Sequence, residues 1–218
     1  METTIKFKMV DTCSIQLGDH FNTMVGNYIT IAKVINPDRV ILHHDNENHK
    51  YIEANQKQYY GLIEALANSN LLKNNSKIVD LGCGLCTTLY NLSLQFLHYN
   101  INANFYGIEH NKELIDTFTN YLSPLWTSNK PSLSLEDIMK SDLTNYDLIL
   151  SYQPLKGDNV RNMYNKISNE MKSGSIFYEH RHKEKECREI LNNCMSKNNI
   201  EPITLLFGGE KQPLFIKK

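Results

Sequence analysis

The sequence has no run of about 18 consecutive apolar residues, the length that a membrane-spanning helix needs. Its first residues also lack the basic start and apolar stretch that mark a secretory signal. The five cysteines are odd in number, so in the absence of a signal we expect reduced thiols rather than a disulfide framework. Together these absences favour a cytoplasmic protein with no membrane partner.

The chain also has little net charge of either sign. Its 23 basic and 24 acidic residues give a formal charge of −1, so there is no global electrostatic signal for nucleic-acid binding. Hydrophobic residues make up 41% of the 218 and charged residues 22%, which is an ordinary globular balance. A chain of this length fits one domain with, at most, a modest extension. The sequence does not indicate an oligomeric state.

The pattern of apolar residues changes near residue 76. Before that point, apolar residues recur at helical spacing from Phe21 to Ala32, and a second helix is predicted from about Tyr51 to Leu66. We therefore expect residues 1–75 to form a mainly helical extension that covers the site of the following domain. Residues 76–218 are expected to form the main domain.

From residue 76 onward, short apolar strands alternate with amphipathic helices. The stretch from Leu85 to Phe96 is one such helix. Asn111 is a plausible N-cap for another, which Pro124 or Pro131 would end. The core-facing residues of this second helix are expected to be Leu114, Ile115, Phe118, Tyr121 and Leu122. Strands separated by helices predict a doubly wound α/β fold with a mostly parallel sheet, to which a closing hairpin adds an antiparallel edge. The predicted strands are residues 78–81, 104–109, 132–135, 146–151 and 175–178, followed by a hairpin of 203–207 and 214–216.

The loop after the first predicted strand is rich in glycine. Ligands of such sheets bind outside the carboxyl ends of the strands, and Gly82 and Gly84 allow a tight turn that a ligand can approach closely. A dinucleotide loop would have a third glycine where Thr87 stands, and its pyrophosphate would be repelled by Asp80. Asp80 would instead attract the cationic end of a sulfonium nucleoside with an amino-acid tail.

With its acidic residue before the glycines, this loop resembles that of the class I S-adenosylmethionine-dependent methyltransferases, in which the motif is D-x-G-x-G. The resemblance covers about residues 76–218 and implies a Rossmann-like seven-stranded sheet with S-adenosylmethionine (SAM) as cofactor. The departure is Cys86, where many members have a third glycine. In the loop, the resemblance implies cofactor contacts by Asp80, Gly82, Cys83 and Gly84.

The resemblance extends to two further strand ends. Glu109 ends the second predicted strand, where the family places the carboxylate that accepts both ribose hydroxyls, and His110 lies beside it. Asp137 and Ile138 follow the third strand and match the family's adenine-contacting pair, an acid for the exocyclic amine and an apolar residue for the ring. The resemblance therefore implies that these residues also bind the cofactor.

The methyl-transfer site is implied to lie after the fourth strand, where Ser151 would contact the cofactor and Tyr152 would line the pocket. His180 follows the fifth strand and is a candidate general base. Enzymes of this fold that methylate nucleic-acid amino groups carry N/D/S-P-P-Y/F at this place. The stretch from Ser151 to Leu155 has one proline with no aromatic after it. We therefore favour a small-molecule or protein acceptor, which the sequence does not identify further.

Two other functions compete with a catalytic methyltransferase. Cys83 and Cys86 form a C-x-x-C between a strand and a helix, which is also the arrangement of dithiol oxidoreductases. The second alternative is a scaffold module, a methyltransferase-like domain that binds SAM without catalysing a reaction. The histidines at 43, 44 and 49 match no metal-site spacing, so we predict no metal.

Overall fold

The computed structural model describes residues 4–5, 62–126, 128–152, 158–179, 185–207 and 210–218. Within this part of the chain, eight strands form one sheet: β1 (Thr4–Ile5), β2 (Ser76–Leu81), β3 (Ala103–Glu109), β4 (Ser132–Leu135), β5 (Leu148–Ser151), β6 (Ile176–Glu179), β7 (Ile200–Phe207) and β8 (Glu210–Lys217). The helices described are α1 (Leu62–Asn68), α2 (Thr87–His98), α3 (Lys112–Thr117), α4 (Asp158–Glu170) and α5 (Lys185–Lys197).

The strand order is β1-β7-β8-β6-β5-β2-β3-β4. Neighbouring strands are parallel except where β8 pairs with β6 and β7. This confirms the predicted doubly wound, mostly parallel sheet with a C-terminal antiparallel hairpin. The sheet also contains β1 beside β7, which was not predicted because two residues are too short to show an alternating pattern. From β2, successive strands are added on one side through β3 and β4, and then on the other side from β5 onward. The position between β2 and β5 is therefore the switch point of the sheet, where a ligand is expected.

A hydrophobic core lies on each face of the sheet. Alternate residues of one strand point to opposite faces, and Ile78 belongs to the core that includes α1 and α2 whereas Val79 belongs to the core that includes α4 and α5. The central strands β5 and β6 are buried at every position. This double burial explains why their sequences read as continuous apolar runs.

The helix predicted after β3 begins as expected but changes form. The side chain of Asn111 accepts a hydrogen bond from the Glu113 N–H at 3.0 Å, which confirms the predicted N-cap. The α-helix ends at Thr117, and a π-helical turn and a 3-10 turn follow over residues 118–125. The prediction that Tyr121 faces the core is wrong, because the wider π turn rotates the helix face and leaves this side chain 56% exposed.

The N-terminal part of the prediction is tested only at its end. The helix expected from Phe21 to Ala32 lies outside the described residues, as does most of the helix expected from Tyr51 to Leu66. Helix α1 (Leu62–Asn68) overlaps the last five residues of the second predicted helix and continues two residues beyond it. The division of the chain at residue 76 stays a prediction. No described helix is long and apolar enough to cross a membrane.

Asparagine takes the place of glycine at the ends of α1 and α2. Asn70 and Asn100 have positive φ values of 56° and 53°. After α2, the Asn100 N–H donates to Leu97 O at 3.1 Å and the Ile101 N–H donates to Phe96 O at 3.0 Å. This is the hydrogen-bond pattern of the Schellman motif, whose left-handed residue is usually glycine and sometimes asparagine.

We expect Asn100→Ala to lower the free energy of unfolding by about 1 kcal/mol, because alanine is strained in the left-handed conformation. Asn100→Gly should cause no loss, since glycine adopts this conformation freely. Urea denaturation measures both. Asn193→Ala is the matched control, because Asn193 is exposed within α5 and alanine favours a helix. Equal stability of Asn100→Ala and the wild type would contradict the assignment of this cap.

Candidate functional site

The turn between β2 and α2 is held against the end of β3. The Gly82 and Cys83 N–H groups both donate to Ile108 O, at 2.8 and 3.1 Å. Gly82 and Gly84 have φ values of 72° and 54°, which L side chains rarely adopt, so both glycines are needed for the shape of the turn. A Cβ added at Gly84 would meet no atom of the described residues within 4 Å. The space beside Gly84 is therefore open for a ligand.

The Glu109 carboxylate connects this turn to the start of α3. Its side chain is buried, and its Oε2 accepts a hydrogen bond from the Gly84 N–H at 3.0 Å. Its Oε1 accepts from the Asn111 N–H at 2.9 Å and lies 3.1 Å from Nδ1 of the exposed His110. A carboxylate has about four acceptor positions, so Glu109 retains acceptor capacity for ligand hydroxyls.

Asp80 is a second buried carboxyl group at the same edge of the sheet. It is 3% exposed. Burial is the main influence on its pKa, and the negative charge of Glu109 adds to it; together they raise the pKa of Asp80 to about 8. The group therefore holds a proton at neutral pH. A cation placed beside it would favour its ionised form.

The two cysteines of the turn are arranged as packed thiols. Cys86 Sγ donates a weak hydrogen bond to Cys83 Sγ at 3.8 Å, and both side chains are buried. The hydrogen bond between the two thiols, burial, and the acidic groups of Cys86, Asp80 and Glu109 nearby raise the pKa of Cys83 well above its usual value. Dithiol oxidoreductases need a thiolate of low pKa, so this environment disfavours the redox alternative.

Cys83 instead has a packing role against β3. A Cβ added at Gly107 would lie 2.6 Å from Cys83 Sγ and 2.7 Å from Leu133 Cδ2. Only glycine leaves room at this position for the thiol. The Cys83 side chain therefore packs against β3, and the turn's backbone is also hydrogen-bonded to Ile108 of the same strand.

The predicted adenine pair lies in the turn after β4. The Glu136 N–H donates to Glu109 O at 3.0 Å, which brings this turn next to the ribose candidate. Asp137 is exposed, and its Oδ1 accepts from the Met139 N–H at 2.9 Å. Ile138 is buried in the core that includes α4 and α5. The local geometry places both residues near Glu109, and their contact with adenine stays a prediction.

The residues predicted to line the methyl-transfer site lie at the end of β5. Ser151 is paired with Leu81 of β2 in the parallel register and is 1% exposed. Its Oγ has no hydrogen-bond partner among the described residues. Tyr152 is half-buried. His180 lies outside the described residues, so its role as a base stays a prediction.

Solved structures provide the comparison for this arrangement. A magnesium protoporphyrin IX methyltransferase from Synechocystis PCC 6803 with bound SAM aligns over 98% of this chain and 100% of its own, with a TM-score of 0.55 and 15% sequence identity. A SAM-dependent methyltransferase from Clostridium acetobutylicum aligns over 91% of this chain and 99% of its own, with a TM-score of 0.54 and 14% identity. This chain has the class I SAM-dependent methyltransferase fold.

Further comparisons agree with the methyltransferase fold. A methyltransferase from Pyrococcus furiosus covers 72% of this chain and 83% of its own, with a TM-score of 0.52 and 12% identity. The Synechocystis enzyme was also solved with bound SAH, the demethylated product of SAM, and matches with a TM-score of 0.54. No protein-family model and no curated protein sequence matches this chain. The likeness is therefore one of fold.

Within the methyltransferase fold, sequence reasoning missed one buried acid at the ligand edge. Glu179 is the last residue of β6, is 5% exposed and is paired with Ser151 in the register of β5 and β6. The signal that identified Glu109 was an acid directly after an apolar strand. Glu179 follows the apolar run from Ile176 to Tyr178 in the same way, so this signal could have identified it.

The raised pKa of Asp80 predicts a pH dependence of stability. Its pKa is about 8 in the folded protein against an ordinary value of 3.8, so its stabilising contribution is complete below pH 3.8 and is lost as the pH rises through 8. Between these two pH values, ionisation of Asp80 should lower the free energy of unfolding by up to about 1.4 kcal/mol for each pH unit. Asp80→Asn, which cannot ionise, should remove this slope.

Urea denaturation at several pH values between 5 and 8.5 measures the effect. Asp116→Asn is the matched control, because Asp116 is an exposed acid of α3 and its neutralisation should leave the slope in place. If wild type and Asp80→Asn show the same pH dependence, Asp80 is not a buried, protonated carboxyl group.

Proposed function

We propose that this chain is a SAM-dependent methyltransferase that transfers a methyl group to a small-molecule or protein acceptor. The observation that carries the proposal is the hydrogen bond from the Gly84 N–H to Glu109, with the buried Asp80 beside it. This arrangement lies at the switch point of a methyltransferase fold, which is where doubly wound sheets bind their ligands.

The residues at this edge suit the chemical groups of SAM. Glu109 retains acceptor positions for the two ribose hydroxyls after accepting its two backbone N–H groups. Asp80 would ionise against the cationic amino-acid end, which offsets the cost of its burial. The open space beside Gly84 allows the nucleoside to approach the backbone.

The chain's own contribution to the reaction would be positioning. SAM supplies a methyl group that its sulfonium has already activated, so the protein has to hold this group in line with the acceptor atom. Asp80 would bind the amino-acid end of SAM, and Glu109 would bind its ribose. Asp137 and Ile138 would hold the adenine, while Ser151 and Tyr152 would border the methyl group.

The acceptor preference and the cellular location belong to the same proposal. The stretch from Ser151 to Leu155 lacks the double proline and aromatic of nucleic-acid amino methyltransferases, which favours small molecules or proteins. The free thiols of Cys83, Cys86 and Cys194, which are buried without disulfide partners, are consistent with a reducing cytoplasm.

Calorimetry with SAM and SAH tests the site. Wild type should bind both ligands, and Glu109→Gln should bind them about tenfold to hundredfold more weakly, because it loses charge-assisted hydrogen bonds. Asp80→Asn should also bind SAM more weakly than the wild type. Glu201→Gln is the matched control, since Glu201 is an exposed acid near the start of β7, at the opposite edge of the sheet. Undiminished binding in both site variants would refute this site.

Transfer of a radioactive methyl group from SAM to offered acceptors then separates the enzyme from its closest alternative. Transfer that Glu109→Gln abolishes supports the methyltransferase. Tight SAM binding without transfer to any protein, nucleic acid or small molecule would instead favour a non-catalytic SAM-binding module.

A further inference from the structure

Cys86 adopts a backbone conformation that few side chains tolerate. Its φ and ψ are 61° and 26°, in the left-handed region, at the residue that precedes α2. Residues other than glycine, asparagine and aspartate rarely adopt this region, because Cβ comes too close to the following carbonyl oxygen. In the described part of the chain, the other non-glycine residues with positive φ are all asparagines: Asn70, Asn75, Asn100, Asn129 and Asn199. Cys86 is therefore an exception that calls for a compensating interaction.

The Cys86 thiol makes such an interaction inside the cofactor turn. The side chain is 0% exposed, and its Sγ donates a weak hydrogen bond to Cys83 Sγ at 3.8 Å. The backbone of Cys86 is fixed on both sides. Its N–H donates to Cys83 O at 2.8 Å, and its O accepts from the Tyr90 N–H of α2 at 2.8 Å. The thiol that contacts Cys83 is thus held at the start of a helix.

Cys83 connects this thiol with the residue that binds Glu109. Its Sγ donates a weak hydrogen bond to Gly84 O at 4.0 Å, and the Gly84 N–H donates to Glu109 Oε2 at 3.0 Å. Contacts therefore run without a gap from Cys86 through Cys83 and Gly84 to the carboxylate that is proposed to bind the ribose.

The place of Cys83 Sγ depends on two close neighbours. One is β3, where a Cβ at Gly107 would lie 2.6 Å from this sulfur, and the other is Cys86 Sγ. Protein interiors are closely packed, so deleting a buried group leaves a space that its neighbours fill only in part. Deletion of the Cys86 thiol would therefore give Cys83 room to change rotamer and would loosen the turn.

We propose that Cys86 is a positioning residue of the cofactor site. Its thiol holds Cys83 in place, and through Cys83 it holds the Gly84 N–H on the Glu109 carboxylate. The expected effect on SAM rests on the proposed function, whereas the effect on the turn is independent of any ligand. The role requires neither contact with SAM nor an ionised thiol, in agreement with the complete burial of Cys86.

A cysteine that only fills space in the core would respond differently to substitution. Glycine at this position would remove the backbone strain and keep the shape of the turn, so the site would stay intact. If the thiol positions the turn, the same substitution loosens the turn although its backbone is relaxed. Cys86→Gly therefore separates the two roles.

Amide hydrogen exchange of the full, ligand-free chain, measured by NMR, tests the turn directly. We expect the Gly84 N–H to exchange about tenfold faster in Cys86→Gly than in the wild type, because local opening of the turn becomes easier. Calorimetry should show that Cys86→Gly binds SAM about threefold to thirtyfold more weakly. Cys86→Ala also lacks the thiol and should show the same two changes, so it provides the measurement if Cys86→Gly does not fold.

Two further variants assign the effect. If Cys86 acts through Cys83, a double variant of Cys83→Ala and Cys86→Gly should lose no more SAM affinity than the more affected single variant. Cys194→Ala is the matched control, because it truncates another buried thiol, in the core on the other face of the sheet. It should unfold at a lower temperature than the wild type but keep the wild-type Gly84 exchange rate and SAM affinity. Binding and exchange are compared at a temperature at which thermal unfolding shows every variant to be folded.

Three results would overturn the inference: a Gly84 exchange rate or a SAM affinity in Cys86→Gly equal to that of the wild type, equal losses in Cys194→Ala, or losses that multiply in the double variant. The first result would make Cys86 a strained core residue without effect on the site. A wild type that binds no SAM would instead remove the proposed function, and the Gly84 exchange rate would still test the role of Cys86 in the turn.

Discussion

The burial of two carboxyl groups side by side is the constraint on which the site depends. Glu109 accepts hydrogen bonds from two backbone N–H groups, which stabilise a carboxylate. Asp80 is buried next to that charge, and its pKa rises to about 8. Asp80 therefore holds its proton at neutral pH, as expected for an acid that is buried close to another acid. A cationic ligand changes this balance, because it favours ionisation of the second acid.

The shape of the glycine turn follows from the same constraint. Gly84 can donate to Glu109 only if the chain turns sharply after β2, and the positive φ values of Gly82 and Gly84 provide this turn. Cys83 packs this turn against β3 through its close approach to Gly107. The cysteines that suggested redox chemistry in the sequence are thus explained by this packing.

Much of this fold and part of the site could be predicted from the sequence, for physical reasons that differ among elements. Strands β5 and β6 are buried on both faces and so appear as unbroken apolar runs. Glu109 was found because an acid directly follows such a run. The exposed position of Tyr121 was missed, because a π turn changes the spacing without changing composition. Strand β1 was missed because its two residues depend on pairing with the distant β7.

The pairing of Ser151 with Glu179 illustrates the limit of reading along the chain. The two residues are far apart in sequence, and only the register of β5 with β6 brings them together. Each can be recognised separately as a polar residue at the end of an apolar strand. Their chemistry as a pair, a buried hydroxyl beside a buried carboxyl group, becomes visible only when the sheet is assembled.

The central claim is that Asp80 is protonated in the free protein and ionises against a cationic nucleoside. Calorimetry of SAM binding to the wild type at pH 7, repeated in two buffers of different ionisation enthalpy, measures this most directly. The account predicts binding with a heat that differs between the buffers, because SAM binding releases a proton from Asp80. A heat of binding that is the same in both buffers, or no binding, would contradict it.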